Sequence, residues 1–181
     1  MSGDDKKQLG KILLRQKVVS PAKLDELLEK QRQKPGVRLA SAAIRDGAGE
    51  VDVLRALSEQ HQVPGIDLAQ VVIPISNLAL VPPEVARQYF ILPFSVNEQQ
   101  MMLAMADQQD KRVVEEIEFV TGRTIVAYVA LHEQLVSVID DAYRALANGE
   151  QYYVGKAAPP EYLAQLGLKP AAGKPPPPPP R

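Results

Sequence analysis

Along the first sixty residues the apolar positions fall at helical spacing, and they do so twice. Gln8–Gln31 reads QLGKILLRQKVVSPAKLDELLEKQ, and Arg38–Gln60 reads RLASAAIRDGAGEVDVLRALSEQ. Leu9 and Leu39 open the two runs, Leu24 and Leu54 recur at the same offset of 30, and both runs close on a glutamine. Ser20-Pro21 signals a helix start: serine caps free N–H groups, and proline at the first helical position has no N–H to leave unbonded. Leu24, Leu27, Leu28 and Gln31 then share one face, and Pro35-Gly36 ends that helix. Val51, Leu54 and Leu57 give the second copy a matching face. The pattern predicts a helix–turn–helix unit duplicated once, four short helices in all. Two copies are too few for a solenoid.

After Val63-Pro64-Gly65 the period changes. Val71–Pro74 and Val81-Pro82-Pro83 read as a connecting segment, with a short helix starting on Pro83. Ile91–Val96 and Met101–Met105 flank Asn97-Glu98-Gln99-Gln100, which predicts a hairpin with a four-residue loop. Apolar residues at 113, 114, 117 and 120 predict a helix that Gly122 ends. Thr124–Val129, rich in β-branched residues, predicts a third strand. Leu135, Val138, Ile139, Ala142 and Leu146 predict a closing helix over Gln134–Leu146. The expected fold class is α+β: a four-helix subdomain over 1–62, then a small ββαβα subdomain over 63–148. Residues 149–181 read as a linker and a disordered proline-rich tail, with two tyrosines and a short helix from Pro160 to Leu166 along it. The run Pro175–Pro180 predicts unpacked polyproline II.

Composition then removes most chemistry. The chain has 181 residues, 45% hydrophobic and 24% charged, which is enough apolar surface for a packed core. A net charge of -1 leaves no electrostatic footprint for DNA, RNA or an anionic membrane. No apolar run approaches the roughly 18 residues of a membrane span, and MSGDDKKQ lacks the apolar core of a signal peptide. The expected location is therefore the cytoplasm, without direct membrane insertion. Cysteine is absent and only His61 and His132 are available, so disulfides, thiolate metal sites and histidine-rich metal sites are excluded.

No sequence motif points to catalysis. Gly167–Lys174, GLKPAAGK, spaces its glycines one residue too far apart for a phosphate loop and places Pro175 where a magnesium-binding hydroxyl belongs. Asp140-Asp141 and Glu115-Glu116 are consecutive on helices, so their carboxylates point about 100° apart and read as solvated faces. His61 and His132 have no serine–acid pattern around them and read as surface or helix-end residues. The expectation is a non-enzymatic chain with no metal and no required cofactor.

The duplicated openings ask for more than packing. Gly10 sits inside a predicted helix at a cost of about 1 kcal/mol relative to alanine, which a close approach of another group would explain. Arg38, in the parallel position of the second copy, is suited to a phosphate or a base. The tandem pattern R-L-G-x-x-[LVI]-[LVI]-x-x-G-x-[LVI]-x-x-x-x-L-x-x-x-L-x-x-Q resembles that of the N-terminal domain of type II secretion and type IV pilus ATPases, the GspE N-terminal or MshEN type. Val63–Leu68, Leu80-Val81-Pro82, Leu92-Pro93, Leu103–Asp107 and Thr121-Gly122-Arg123 extend the resemblance, which covers about residues 8 to 147.

The resemblance implies two functions for this bacterial-type domain. One is a non-catalytic regulatory adaptor that docks onto a secretion or pilus machinery protein. The other is a receptor that binds cyclic di-GMP across the two repeats. Carried over by position, the implied ligand residues are Gln8, Leu9, Gly10, Leu13, Leu24, Leu28 and Gln31 in the first copy. Arg38, Leu39, Ala40, Gly47, Leu54 and Gln60 follow in the second, and Asp107 could accept from a guanine edge. The chain departs from the pattern at Gln8 (arginine expected), Lys17 (glycine) and Ala40 (glycine), and is one residue short around Ala48-Gly49-Glu50. Asp107 is followed by Gln108 where proline is usual. No aromatic residue precedes Tyr89, so a base held by the first half alone must lie on leucine and isoleucine. The ATPase of the resembling proteins has no counterpart here, since no Walker motif occurs.

Overall fold

The computed structural model describes residues 3–106, 108 and 110–169. The first half is four helices: α1 (Gly3–Arg15), α2 (Pro21–Gln33), α3 (Leu39–Arg45) and α4 (Glu50–His61). Ser20 caps α2 as expected, its Oγ accepting from the Lys23 N–H at 3.2 Å with Pro21 in the first turn. The two α-turns between paired helices are built alike. Lys17 N–H donates to Leu14 O and Val18 N–H to Leu13 O, just as Gly47 N–H donates to Ile44 O and Ala48 N–H to Ala43 O. Each turn passes through a left-handed residue, Lys17 at φ 57° and Gly47 at φ 101°.

The structure corrects the repeat register. Ser20 and Gly49 cap the second helix of each copy, so beyond the turns the offset is one less than in the first helices. Leu24 then corresponds to Val53, Leu28 to Leu57, and Gln31 to Gln60, and both glutamines are buried. Leu54, expected to match Leu24, sits one position further round α4. The shortened linker, Ala48-Gly49, is the cause.

The second half follows the predicted ββαβα order and adds to it. After β1 (Val72–Pro74), α5 (Ile75–Leu78) and α6 (Pro83–Tyr89) come β2 (Ile91–Val96), β3 (Gln100–Met105), α7 (Lys111–Thr121), β4 (Thr124–Val129) and α8 (His132–Ala147). The main sheet has order β2-β3-β4, with β2–β3 antiparallel and β3–β4 parallel across α7. Pro93 can lie in β2 because β2 is an edge strand. The hairpin loop is one residue shorter than predicted, since Gln100 already belongs to β3. Asn97 Oδ1 closes the loop by accepting from the Gln99 and Gln100 N–H groups.

Two expectations fail. Val72–Pro74 is a strand, not a connector, and residues 152–157 are paired backbone, not a linker, while the short helix expected from Pro160 is present. β5 (Tyr152–Val154) pairs antiparallel with β1, and α9 (Pro160–Gln165) buries Leu163. The physical reason is backbone pairing over a long distance. Gly155 N–H donates to Val71 O at 2.8 Å and Ala157 N–H to Ala69 O at 2.7 Å, which ties the segment down beyond the strand itself. The proline run lies outside the described residues.

Two apolar clusters result. One fills the second half around Leu78, Ile91, Leu103, Leu135 and Ile139. The other is made by the four helices, and Val129 and Leu131 from the end of β4 join it. The chain entering the second half pairs with the same strand end, Ile66 N–H donating to Val129 O and Val129 N–H to Pro64 O, each at 2.9 Å. The two halves therefore meet where β4 runs into α8.

Candidate functional site

Arg38 is the cap residue of α3, in an extended backbone conformation, and its side chain makes no capping bond. It is half-buried and forms no hydrogen bond or ion pair with the described residues. Nearby cations behave otherwise: Lys23 and Lys30 are both within 3.1 Å of Asp46. Hydrogen bonds from Lys30 and then Lys23 lower the pKa of Asp46, and the two ammonium groups are raised first by Glu26 and then by Asp46. A half-buried guanidinium with five donors and no described anion is suited to bind an external one.

The first copy does not reproduce that arrangement. α1 begins at Gly3, so Gln8 lies within a helix where Arg38 lies at the start of one, and Gln8 is exposed. Gly10 is explained by a close approach: a Cβ there would stand 3.3 Å from Leu24 Cδ2. Ala40, its counterpart, is half-buried and already carries that carbon.

The first turn of α8 faces α3. Glu133 Oε1 lies 3.6 Å from Arg45 Nη2. Gln134 Nε2 donates to Glu50 at 3.0 Å and to Asp67 at 3.2 Å, while its Oε1 accepts from the Leu68 N–H. His132, the first residue of the helix, is close enough to Arg38 for that charge to act on the imidazole. Burial first and Arg38 second hold its pKa below the ordinary value. Its ring meets the edge of Phe90 at a centroid distance of 4.4 Å and 74°. Phe90 ends α6 in the left-handed region at φ 51°, and its carbonyl accepts from Ala106 N–H.

The structure thus divides the implied ligand residues. Leu9, Leu13, Leu24, Leu39 and Leu54 come together, but as buried core of the four helices. Gln31 is also structural, its Nε2 donating to Val37 O at 2.6 Å, and Gln60 is buried. Leu28 is half-buried against the same core, and Gly47 is an exposed turn residue at positive φ. Gly10, Arg38 and Ala40 lie at or near the openings of the repeats. Asp107 falls outside the described residues. Sequence reasoning passed over Phe90 and His132 as site residues. A helix-end histidine carries no sequence signal for its neighbours, and nothing in Tyr89-Phe90-Ile91 shows that the ring meets the head of α8.

Residues 61–149 match the model of the MshEN domain. Over these residues the chain resembles an MshEN domain. The type IV pilus assembly ATPase PilB of Myxococcus xanthus is 31% identical over 137 residues, 75% of this chain and 24% of PilB. The chain therefore spans about a quarter of that relative's length. A solved structure of MshE with cdg (cyclic di-GMP) superposes at a TM-score of 0.59 with 28% identity, covering 75% of this chain and 98% of that one. The N-terminal domain of XpsE shares the fold at a TM-score of 0.51 and 19% identity, covering 75% of this chain and 94% of that one. The fold is α+β, and the chain is similar to part of the pilus assembly ATPase PilB. Among the described residues no helix is long and apolar enough to cross a membrane.

Proposed function

We propose that this chain is a non-catalytic regulatory module of pilus or secretion machinery and that cyclic di-GMP is its input. One observation carries the reading: Arg38 is a half-buried guanidinium without a partner among the described residues, at the repeat position suited to a phosphate or a base. The solved MshE with cyclic di-GMP supports the choice of anion. The ligand carries two phosphates, and Arg38 supplies a planar, charge-assisted contact to one of them or to a guanine edge. With Gln8 in place of arginine, the first repeat lacks the matching charge, so the two halves of the ligand are held unequally.

Titration calorimetry with cyclic di-GMP tests this. A charge-assisted contact contributes roughly 1.5–3 kcal/mol, so Arg38→Ala weakens binding by about ten- to a hundredfold. Gln8→Arg combined with Ala40→Gly strengthens it. Binding unaffected by Arg38→Ala places the site elsewhere.

A second reading is a docking adaptor that needs no ligand. Its support is the exposed pair Phe119 and Val120 on α7, 91% and 69% accessible, an unusual place for such side chains on a solvated helix. If neither the unmodified protein nor the Gln8→Arg, Ala40→Gly variant binds cyclic di-GMP, this second reading replaces the first.

A further inference from the structure

The imidazole on which the Arg38 charge acts comes from the other half of the molecule. The first half supplies no phenylalanine, tyrosine or tryptophan, and its one imidazole is His61 at the far end of α4. The fold changes that. It brings His132, at the head of α8, within range of the Arg38 charge, and it sets Phe90 edge-on against the imidazole at 4.4 Å. Both residues are half-buried, so part of each remains accessible. Leu39, next to Arg38, and Leu131, next to His132, share one apolar cluster, and Glu133 pairs with Arg45. The cap of α3 and the head of α8 are therefore held together from two sides.

The chemistry of the group is mixed in a useful way. Arg38 is a permanent cation. The imidazole, desolvated and next to that cation, resists protonation and so offers one donor and one acceptor. Its Nδ1 is buried and makes no hydrogen bond in the structure, which leaves a polar atom in need of a partner. Phe90 adds a flat apolar surface, held in place by a left-handed backbone that a bulky residue adopts only under constraint. A cation for phosphate, a neutral heteroaromatic ring and a phenyl ring together match a nucleotide better than a simple anion.

We propose that Phe90 and His132 complete the cyclic di-GMP site from the second half, with a guanine base packed on their rings while Arg38 holds the adjoining phosphate. This rests on the reading that the chain binds cyclic di-GMP. Ligand occupancy then acts on the contact between the two halves, because the rings belong to one and the arginine to the other.

The test uses the full chain and cyclic di-GMP. Stacking on one aromatic side chain changes affinity by about five- to a hundredfold when the ring is removed. Phe90→Leu and His132→Asn each weaken binding by that factor, while Val136→Ala, on an exposed face of α8, leaves it unchanged. Nuclear Overhauser contacts between guanine H8 and the Phe90 ring are expected in the unmodified complex, and with three phenylalanines in the chain they can be assigned. If the unmodified protein binds and both ring variants bind equally well, the ring assignment is wrong and the receptor reading survives. If the unmodified protein does not bind, both fall together. Should either ring variant melt early, the contact between H8 and Phe90 decides: its presence upholds the assignment and its absence overturns it.

Discussion

Lys17 and Gly47 hold the same place in the two repeats and make the same turn, yet only one is a residue suited to it. A side chain in the left-handed region costs about 1–2 kcal/mol, part of which glycine gives back as extra freedom in the unfolded chain. Lys17→Gly is expected to stabilise the protein by about 0.5–1 kcal/mol, and Gly47→Ala to destabilise it by about 1 kcal/mol. Urea midpoints at constant slope measure both. A lower midpoint for Lys17→Gly would show that the lysine stem contributes more than the strain removes. Titrating groups add a pH signature. Burial raises the phenol of Tyr153 to about 12 and that of Tyr143 further, and the Tyr143 hydroxyl also donates to Val81 O at 2.7 Å. Their folded values exceed the unfolded one, so this stability is complete below pH 10 and declines as pH rises above it. His132 has the opposite sign. Its folded pKa is depressed, so stability is complete above the unfolded value near 6.5 and falls as pH drops below it. Melting temperatures from pH 5 to 11 follow both limbs, and His132→Asn should flatten the acid limb.

At the scale of elements, legibility depended on length and locality. α2 was readable from Ser20-Pro21 and Pro35-Gly36, and α7 from its apolar spacing and Gly122, because caps and periods act within a few residues. β1 and β5 were not. Three residues are too few to display an alternating pattern, and each strand exists only because the other reaches it from far along the chain. Gly155 shows how closely the backbones meet: an added Cβ would lie 2.4 Å from Ala69 O and 2.9 Å from Val71 O. No side-chain motion relieves a clash with backbone. Gly155→Ala is expected to push β5 off β1 and to cost about 2 kcal/mol or more, a fall of several degrees in Tm. Hydrogen exchange at the Gly155 and Ala157 N–H groups reads the same event locally. Unchanged protection there would mean the segment has room that the structure does not show. The candidate site was legible in the same uneven way. Arg38 stood out through the repeat, whereas His132 comes within range of its charge, and Phe90 against His132, only through the folding of α6 and α8.

For the whole molecule the question is whether its halves fold as one. The sequence divides at Val63-Pro64-Gly65, and that division suggested two subdomains. The structure crosses it at several points: Val129 and Leu131 sit in the helical core, Pro64 and Ile66 pair with Val129, and Gln134 reaches both Glu50 and Asp67. These contacts favour a single cooperative transition. The chain is well suited to testing that. All six tyrosines lie at residue 89 or beyond and there is no tryptophan, so near-ultraviolet dichroism of tyrosine reports on the second half alone. Far-ultraviolet dichroism at 222 nm reports on helices in both. The two denaturation curves are expected to coincide in the unmodified protein. Val129→Ala removes two fully buried methyl groups' worth of contact from the helical core, with a cost of about 1–3 kcal/mol. Combined with Gln134→Ala, which removes the bonds to Glu50 and Asp67, it should uncouple the halves. Part of the 222 nm signal would then disappear at a urea concentration where the tyrosine signal is still native. Curves that separate already in the unmodified protein would mean that the junction does not couple the halves, and that each folds alone.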